Sequence, residues 1–302
     1  MTPRHARARS APVLVDRRVF LGLIGVGVVA GGSAVLAISG ASAPQAGIAA
    51  ATPSSAAPSR TPSGAPTPTP TPTSPPAPTP TPTPTPTAAA LPPIEKVALP
   101  GGSITGLPGE GNLLAWTVDD GSSADVIRLY TEFAARSGTR LTFFLNGSYP
   151  GWTQHADLLR PLVQSGQVQL GNHTFDHVDL TKLGDAEVLD QLQRNHDFIQ
   201  NTYGVDARPY FRPPYGYHDA RVDALAASIG YTCPVLWYGS LSDSGLITEQ
   251  QVVDFATQWF LPQHIVIGHL NFVPVTNVFP QLQALIAERG LRTVTLDDVF
   301  LR

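Results

Sequence analysis

Between residues 95 and 302, short apolar runs alternate with longer amphipathic stretches. That alternation restricts the folds open to this chain more than any other feature. Runs suited to strands stand at 113–118, 141–145, 168–171, 210–212, 232–236, 265–269 and 292–295. Between them apolar residues recur at helical spacing over 124–136, 156–164, 185–203, 219–229, 248–260 and 278–289. Asp185, Asp219 and Thr248 stand where N-caps belong. Strands that alternate with helices pair in parallel, because each connection crosses back over a face of the sheet. The expectation is an α/β fold on a parallel sheet, open or closed into a barrel one strand short of the usual eight. In such folds chemistry collects at the C-terminal ends of the strands.

The rest of the chain has a different composition. Of the 30 prolines, 14 fall in the 36 residues 52–87, and residues 44–94 are largely Ala, Ser, Thr and Pro. Too little apolar surface is present there to offset the entropy of ordering it. Alternating Thr-Pro favours polyproline II, so the 36-residue window reaches on the order of 100 Å as a stiff spacer. Residues 1–43 carry Arg4, Arg7, Arg9 and the pair Arg17-Arg18, followed by an uncharged run over 19–38. The run closes on Ala41-Ser42-Ala43, a small-residue pattern suited to cleavage, and the arginine pair is similar to a twin-arginine export signal. A retained membrane anchor is the alternative. Either way residues 95–302 are expected outside the cytoplasmic membrane, secreted or associated with the wall or membrane, and touching the membrane only through the N-terminal segment. That domain holds 13 basic and 22 acidic residues, a balance that repels a phosphate backbone and argues against a nucleic-acid partner. A single cysteine, Cys233, excludes an internal disulfide framework and a cysteine-based zinc cage. A monomer is expected.

The unusual residues cluster at strand ends. Asp119-Asp120-Gly121 follows the first strand. Neighbouring residues of a strand face opposite ways, so both carboxylates can share a site only if the chain turns at once, which Gly121 permits. His173 and His177 follow the third strand, four apart, a spacing that on a helical turn suits one metal ion. Asp120 is a candidate third ligand. Two histidines and a carboxylate describe hydrolytic zinc sites and non-haem iron oxygenases alike, and spacing does not separate them. Arg212 is backed by Pro213 and Pro214, a rigid mount for a group that holds a carboxylate. His269 ends the sixth apolar run.

Taken in this order, Asp119-Asp120-Gly121, Thr142-Phe143-Phe144-Leu145-Asn146-Gly147, His173-Thr174-Phe175-Asp176-His177 and Arg212-Pro213-Pro214-Tyr215-Gly216 resemble the NodB-type polysaccharide deacetylases of carbohydrate esterase family 4. The resemblance spans about residues 113–300. It implies a distorted (β/α)7 barrel that removes acetyl groups from N-acetylated sugars with one divalent metal ion, usually zinc. Asp120, His173 and His177 resemble the family's metal ligands, Asp119 its general base and Arg212 the tether of that base. Tyr215 corresponds to the donor of a backbone N–H to the oxyanion, and His269 to the general acid. Thr174 corresponds to a brace between the two histidines.

One segment departs from the family pattern. Where Asp-x-x-Asp-Trp is usual, the row from Ser240 to Ser244 reads Ser-Leu-Ser-Asp-Ser. Alignment puts Ser240 at the first Asp, which orients the acid histidine, Asp243 at the second Asp and Ser244 at the Trp. His269 is then expected to lose its proton at lower pH, unless Asp243 reaches across as a substitute. Trp237 and Tyr238 are candidates to line an acetyl pocket. His155, His196, His218 and His264 have no evident partner and are expected on the solvated surface. The favoured function is de-N-acetylation of an extracellular glycan such as peptidoglycan or a chitin-like polymer. The alternatives are an O-acetyl esterase or other amide hydrolase on the same scaffold, and a non-catalytic glycan-binding wall protein.

Overall fold

A computed structural model describes residues 93–302. The expected export segment and most of the spacer lie outside the described residues. Among the described residues there are ten strands: β1 (Val97–Ala98), β2 (Leu113–Asp120), β3 (Leu141–Leu145), β4 (Val168–Asn172), β5 (Tyr210–Phe211), β6 (Cys233–Pro234), β7 (Gly239–Ser240), β8 (His264–His269), β9 (Arg292–Thr293) and β10 (Phe300–Leu301). Seven of them form one curled parallel sheet in the order β6-β5-β4-β3-β2-β8-β7, the arrangement of a distorted (β/α) barrel. The lead-in to β2 occupies the open side of the curl: Ile104 bridges Val235 and Gly106 bridges His264. Such a segment covers backbone groups that a bare sheet edge would leave unpaired.

Six of the expected strands take up the sheet path. The seventh, at 292–295, is only a two-residue strip, β9, beside the start of β2 and off that path. Its place is taken by β7, whose Gly239-Ser240 pairs with Val266 and Ile267 of β8. Two residues without an apolar run carry no strand signal; only the neighbouring β8 makes them one.

Side chains along β2 alternate between two cores, as a period of two requires. Leu114, Trp116 and Val118 pack outward against α1 (Ala124–Ser137), and Ala115 packs inward with Phe144, Tyr210, Val235 and Ile265. Trp116 sits edge-on to Tyr130 at 5.8 Å and near Phe260 at 5.1 Å, pinning β2 between α1 and the helix after β7. The shell continues through α2 (Gly151–Gln154), α3 (Ala156–Gln164), α4 (Asp185–Tyr203), α5 (Ala220–Ser228), α6 (Glu249–Trp259), α7 (Pro274–Asn277), α8 (Phe279–Glu288) and α9 (Leu296–Val299). Asp219 and Thr248 are N-caps, each accepting a backbone N–H three residues on. Asp185 is not. The cap of α4 is Gly184, whose N–H donates to the Glu187 carboxylate at 2.8 Å. Among the described residues no helix is long and apolar enough to cross a membrane.

Candidate active site

The C-terminal ends of β2, β4 and β8 and the loops beyond them surround a cavity of about 430 Å³. Parallel register sets Asp119 beside His269 across the β2–β8 pair. The next residue ends the strand. Asp120 has φ 75° and Gly121 φ 110°, so the turn begins at the second aspartate rather than at the glycine. That left-handed step is what lets both carboxylates enter one cavity. A Cβ on Gly121 would lie 2.3 Å from the Trp152 indole nitrogen, whose N–H donates to the Asp120 carbonyl.

Thr174 and His177 are also left-handed, at φ 67° and 54°. The histidines therefore do not share a helical turn, as their spacing suggested. An irregular loop brings their rings to 4.9 Å between centroids. Three buried asparagines hold the loop: Asn146 donates to the carbonyls of His173 and Thr174, Asn172 accepts from the Thr174 N–H, and Asn195 donates to Asn172. Thr174 was expected as the brace, but its hydroxyl is buried without a hydrogen-bond partner. The amides brace the loop instead.

Arg212 is fully buried and holds two of the site residues at once. Its guanidinium donates to Asp119 Oδ1 at 2.5 Å, to Thr117 Oγ1 and to the Val235 and Leu236 carbonyls, and it lies over the Phe144 ring. Its own carbonyl accepts from His173 Nδ1 at 2.6 Å. A carbonyl cannot donate, so Nδ1 carries a proton, which leaves Nε2, the lone-pair nitrogen of a neutral ring, facing the cavity.

That lone pair points at Asp120. Asp120 Oδ1 lies 3.3 Å from Nε2 of His173 and 3.2 Å from Nε2 of His177, yet makes no hydrogen bond. One ligand atom from each of the three residues falls within 4.8 Å of the others. Electron-pair donors so arranged repel one another unless a cation sits among them, and these three fit a divalent metal ion. Burial opposes ionisation of Asp120, but the imidazoles around it, His173 foremost and then His269 and His177, hold it well below the usual carboxylate range. Burial, with His173 behind it, pushes His177 down, toward the neutral form that ligates.

His269 stands across the cavity. Its Nδ1 lies 2.9 Å from Asp243 Oδ1, and its backbone N–H donates to Asp243 Oδ2. Of the two outcomes open in the sequence, this is the second: Asp243 reaches across in place of Ser240. Ser242 has φ 56° and its N–H is caught by Ser240 Oγ, which reverses the chain and turns Asp243 back onto the imidazole. Ser240 itself lines the cavity on β7, as does Ser244. Burial alone would lower the His269 pKa; Asp243, then Asp119 and Asp120, outweigh it and the pKa is raised.

Tyr215 lines the mouth in a left-handed conformation, φ 61°, with its ring 4.7 Å from that of His177. Trp237 lines the cavity behind Arg212. Tyr238 does not. Its N–H pairs with Ile265 near the start of β8, and its ring packs on His264, away from the strand ends. Of the histidines expected on the surface, His196 is buried against the Tyr231 hydroxyl, while His218 meets Asp223 and His264 the Trp259 carbonyl. Sequence reasoning missed Tyr149, which lines the cavity, and Asn271, which donates to Asp120 Oδ2 at 2.6 Å. Asn271 is two residues beyond His269, so a polar residue just past a strand end was the available signal. Tyr149 had none.

Residues 107–234 match the family model described as polysaccharide deacetylase. Chitin deacetylase 2 of Saccharomyces cerevisiae is 30% identical over 152 residues, covering 48% of this chain and 46% of that protein. Chitin deacetylase 1 of Cryptococcus neoformans is 35% identical over 126 residues, 42% of this chain and 26% of that one. The chain thus spans less than half the length of these curated relatives. Among solved structures, a deacetylase with substrate is similar at a TM-score of 0.55 and 30% identity, covering 62% of this chain and 89% of that one. A family 4 carbohydrate esterase from Streptomyces lividans, solved with acetate, gives 0.54 and 25%, over 61% and 93%. With this shared fold and these motifs at its strand ends, the chain belongs to the NodB-type polysaccharide deacetylases of carbohydrate esterase family 4.

Proposed function

We propose that this protein is a zinc-dependent hydrolase that removes acetyl groups from N-acetylated sugars of an extracellular glycan, peptidoglycan or a chitin-like polymer. The observation that carries the reading is the placement of three groups around one cavity: the Asp120–His173–His177 cluster at its base, Asp119 locked to Arg212, and His269 locked to Asp243. In this reading Asp120, His173 and His177 hold the metal, which when bound supplies Lewis acidity for activating an amide carbonyl and water. Asp119, oriented by the buried guanidinium, accepts a proton from water in the cavity. His269, protonated through Asp243, donates a proton to the departing amine. The Tyr215 N–H donates to none of the described residues, which leaves it for the oxyanion.

The export signal or anchor over 1–43 and the spacer over 44–94 fit this substrate, since together they would deliver the domain to a wall. An O-acetyl esterase is the second reading. It is favoured by the similarity to a bifunctional xylanase/deacetylase of Pseudobutyrivibrio xylanivorans, 32% identical over 103 residues. The Asp243–His269 pair weakens the non-catalytic alternative.

Acetate release from chitin oligomers, peptidoglycan and O-acetylated xylan, measured with zinc and after its removal by chelation, tests the reading. Zinc-dependent release from the N-acetylated substrates is expected. Release from xylan alone would favour the esterase, and binding without release from any substrate would favour a wall-binding role.

A further inference from the structure

The second oxygen of Asp120 is also held. Asn271 Nδ2 donates to Asp120 Oδ2 at 2.6 Å, and Asn271 Oδ1 accepts from the Ser122 hydroxyl at 2.7 Å and the Ser122 N–H at 3.3 Å. The backbone N–H of Ser122 can only donate, so the amide oxygen of Asn271 must face it and the NH₂ group must face Asp120. The amide is therefore oriented by its neighbours. Backbone bonds from Leu270 N to the Asp119 carbonyl and from Ser123 N to the Leu270 carbonyl tie the loops after β2 and β8 together on either side of this contact.

From this geometry we infer that Asn271 is a positioning residue for the metal ligand Asp120: it occupies Oδ2, fixes the carboxylate plane and leaves Oδ1 alone facing His173 and His177. A carboxylate with both oxygens free rotates about its terminal torsion and samples several ligand geometries. One held at Oδ2 presents a single donor atom, and here Oδ1 is the atom left without a hydrogen bond. Partners behind metal ligands commonly change metal affinity 10- to 100-fold. The inference rests on the proposed metal site.

The test is zinc affinity of the metal-stripped full-length protein, measured by competition with a chromophoric chelator. Asn271→Ala is expected to bind zinc about 10- to 100-fold more weakly than wild type, with the thermal midpoint of the metal-free protein unchanged. Asn271→Leu keeps a branched side chain at the site but donates nothing, and the same loss is expected of it should Ala disturb the packing. Ser122→Ala, which removes one donor to Asn271 but leaves the amide in place, is expected to lose less. A folded Asn271 variant with wild-type zinc affinity would overturn this inference alone. A wild-type protein that binds no zinc would overturn the metal-site reading beneath it.

Discussion

Asp243 grips His269 twice, with one carboxylate oxygen 2.9 Å from the ring Nδ1 and the other accepting the backbone N–H at 3.2 Å. An acid must be protonated to act, and a raised pKa keeps it protonated to higher pH. The high-pH limb of kcat/KM is therefore expected above the ordinary histidine value of 6.5. Asp243→Asn removes the negative charge and should move that limb down by about 1–3 pH units. Ser240→Asp should move it little, because the Asp243 carboxylate already holds the imidazole. Profiles of kcat/KM against pH for both variants check this; an unmoved limb in Asp243→Asn would mean that His269 is not the titrating acid.

His173 offers its Nε2 lone pair because the Arg212 carbonyl takes the proton on Nδ1. His173→Ala removes one of three ligands and should lose most bound metal and the activity with it, and added zinc should restore little. Metal content after dialysis is the measurement, and stoichiometric metal in this variant would eliminate the proposed site.

Asp119 is set apart from the ligands by its bond to Arg212. Asp119→Asn should still bind metal while losing on the order of 10² to 10⁴ in rate, the usual contribution of a general base. The thermal midpoint should also fall, since a buried guanidinium loses its counter-charge. Metal analysis beside kinetics decides it: near-normal turnover would assign the two aspartates the other way round.

Gly121 combines φ 110° with an indole 2.3 Å from where a Cβ would stand. Gly121→Ala must strain the turn and displace Trp152 from the Asp120 carbonyl. A loss of about 1–3 kcal/mol in unfolding free energy is expected, with weakened metal binding through Asp120. Denaturant unfolding of the metal-free protein measures the first; an unchanged midpoint would show that the turn relaxes freely.

The alternating pattern alone determined the parallel α/β fold, six of the seven strands on the sheet path and most helix bounds, because burial on one face repeats with the period of the element. Asp119, Asp120, His173, His177, Arg212 and His269 were likewise legible, since strand ends in a parallel sheet converge wherever the chain places them. Of their partners only Asp243 was named in the row, as a substitute, and the turn that brings it to His269 was not legible. Asp243 reaches His269 through a left-handed Ser242, a conformation no local preference of serine indicates. Asn271 meets Asp120 across 151 residues, a contact that exists only because β8 lies beside β2 in one register. Tyr238 and Trp237 are neighbours in sequence, yet the path of β7 along β8 puts one on a histidine near the start of the strand and the other in the cavity. Periodicity and turn chemistry are local and show in the row of letters; the choice of hydrogen-bond partner depends on register and on strained residues that only the assembled barrel holds in place.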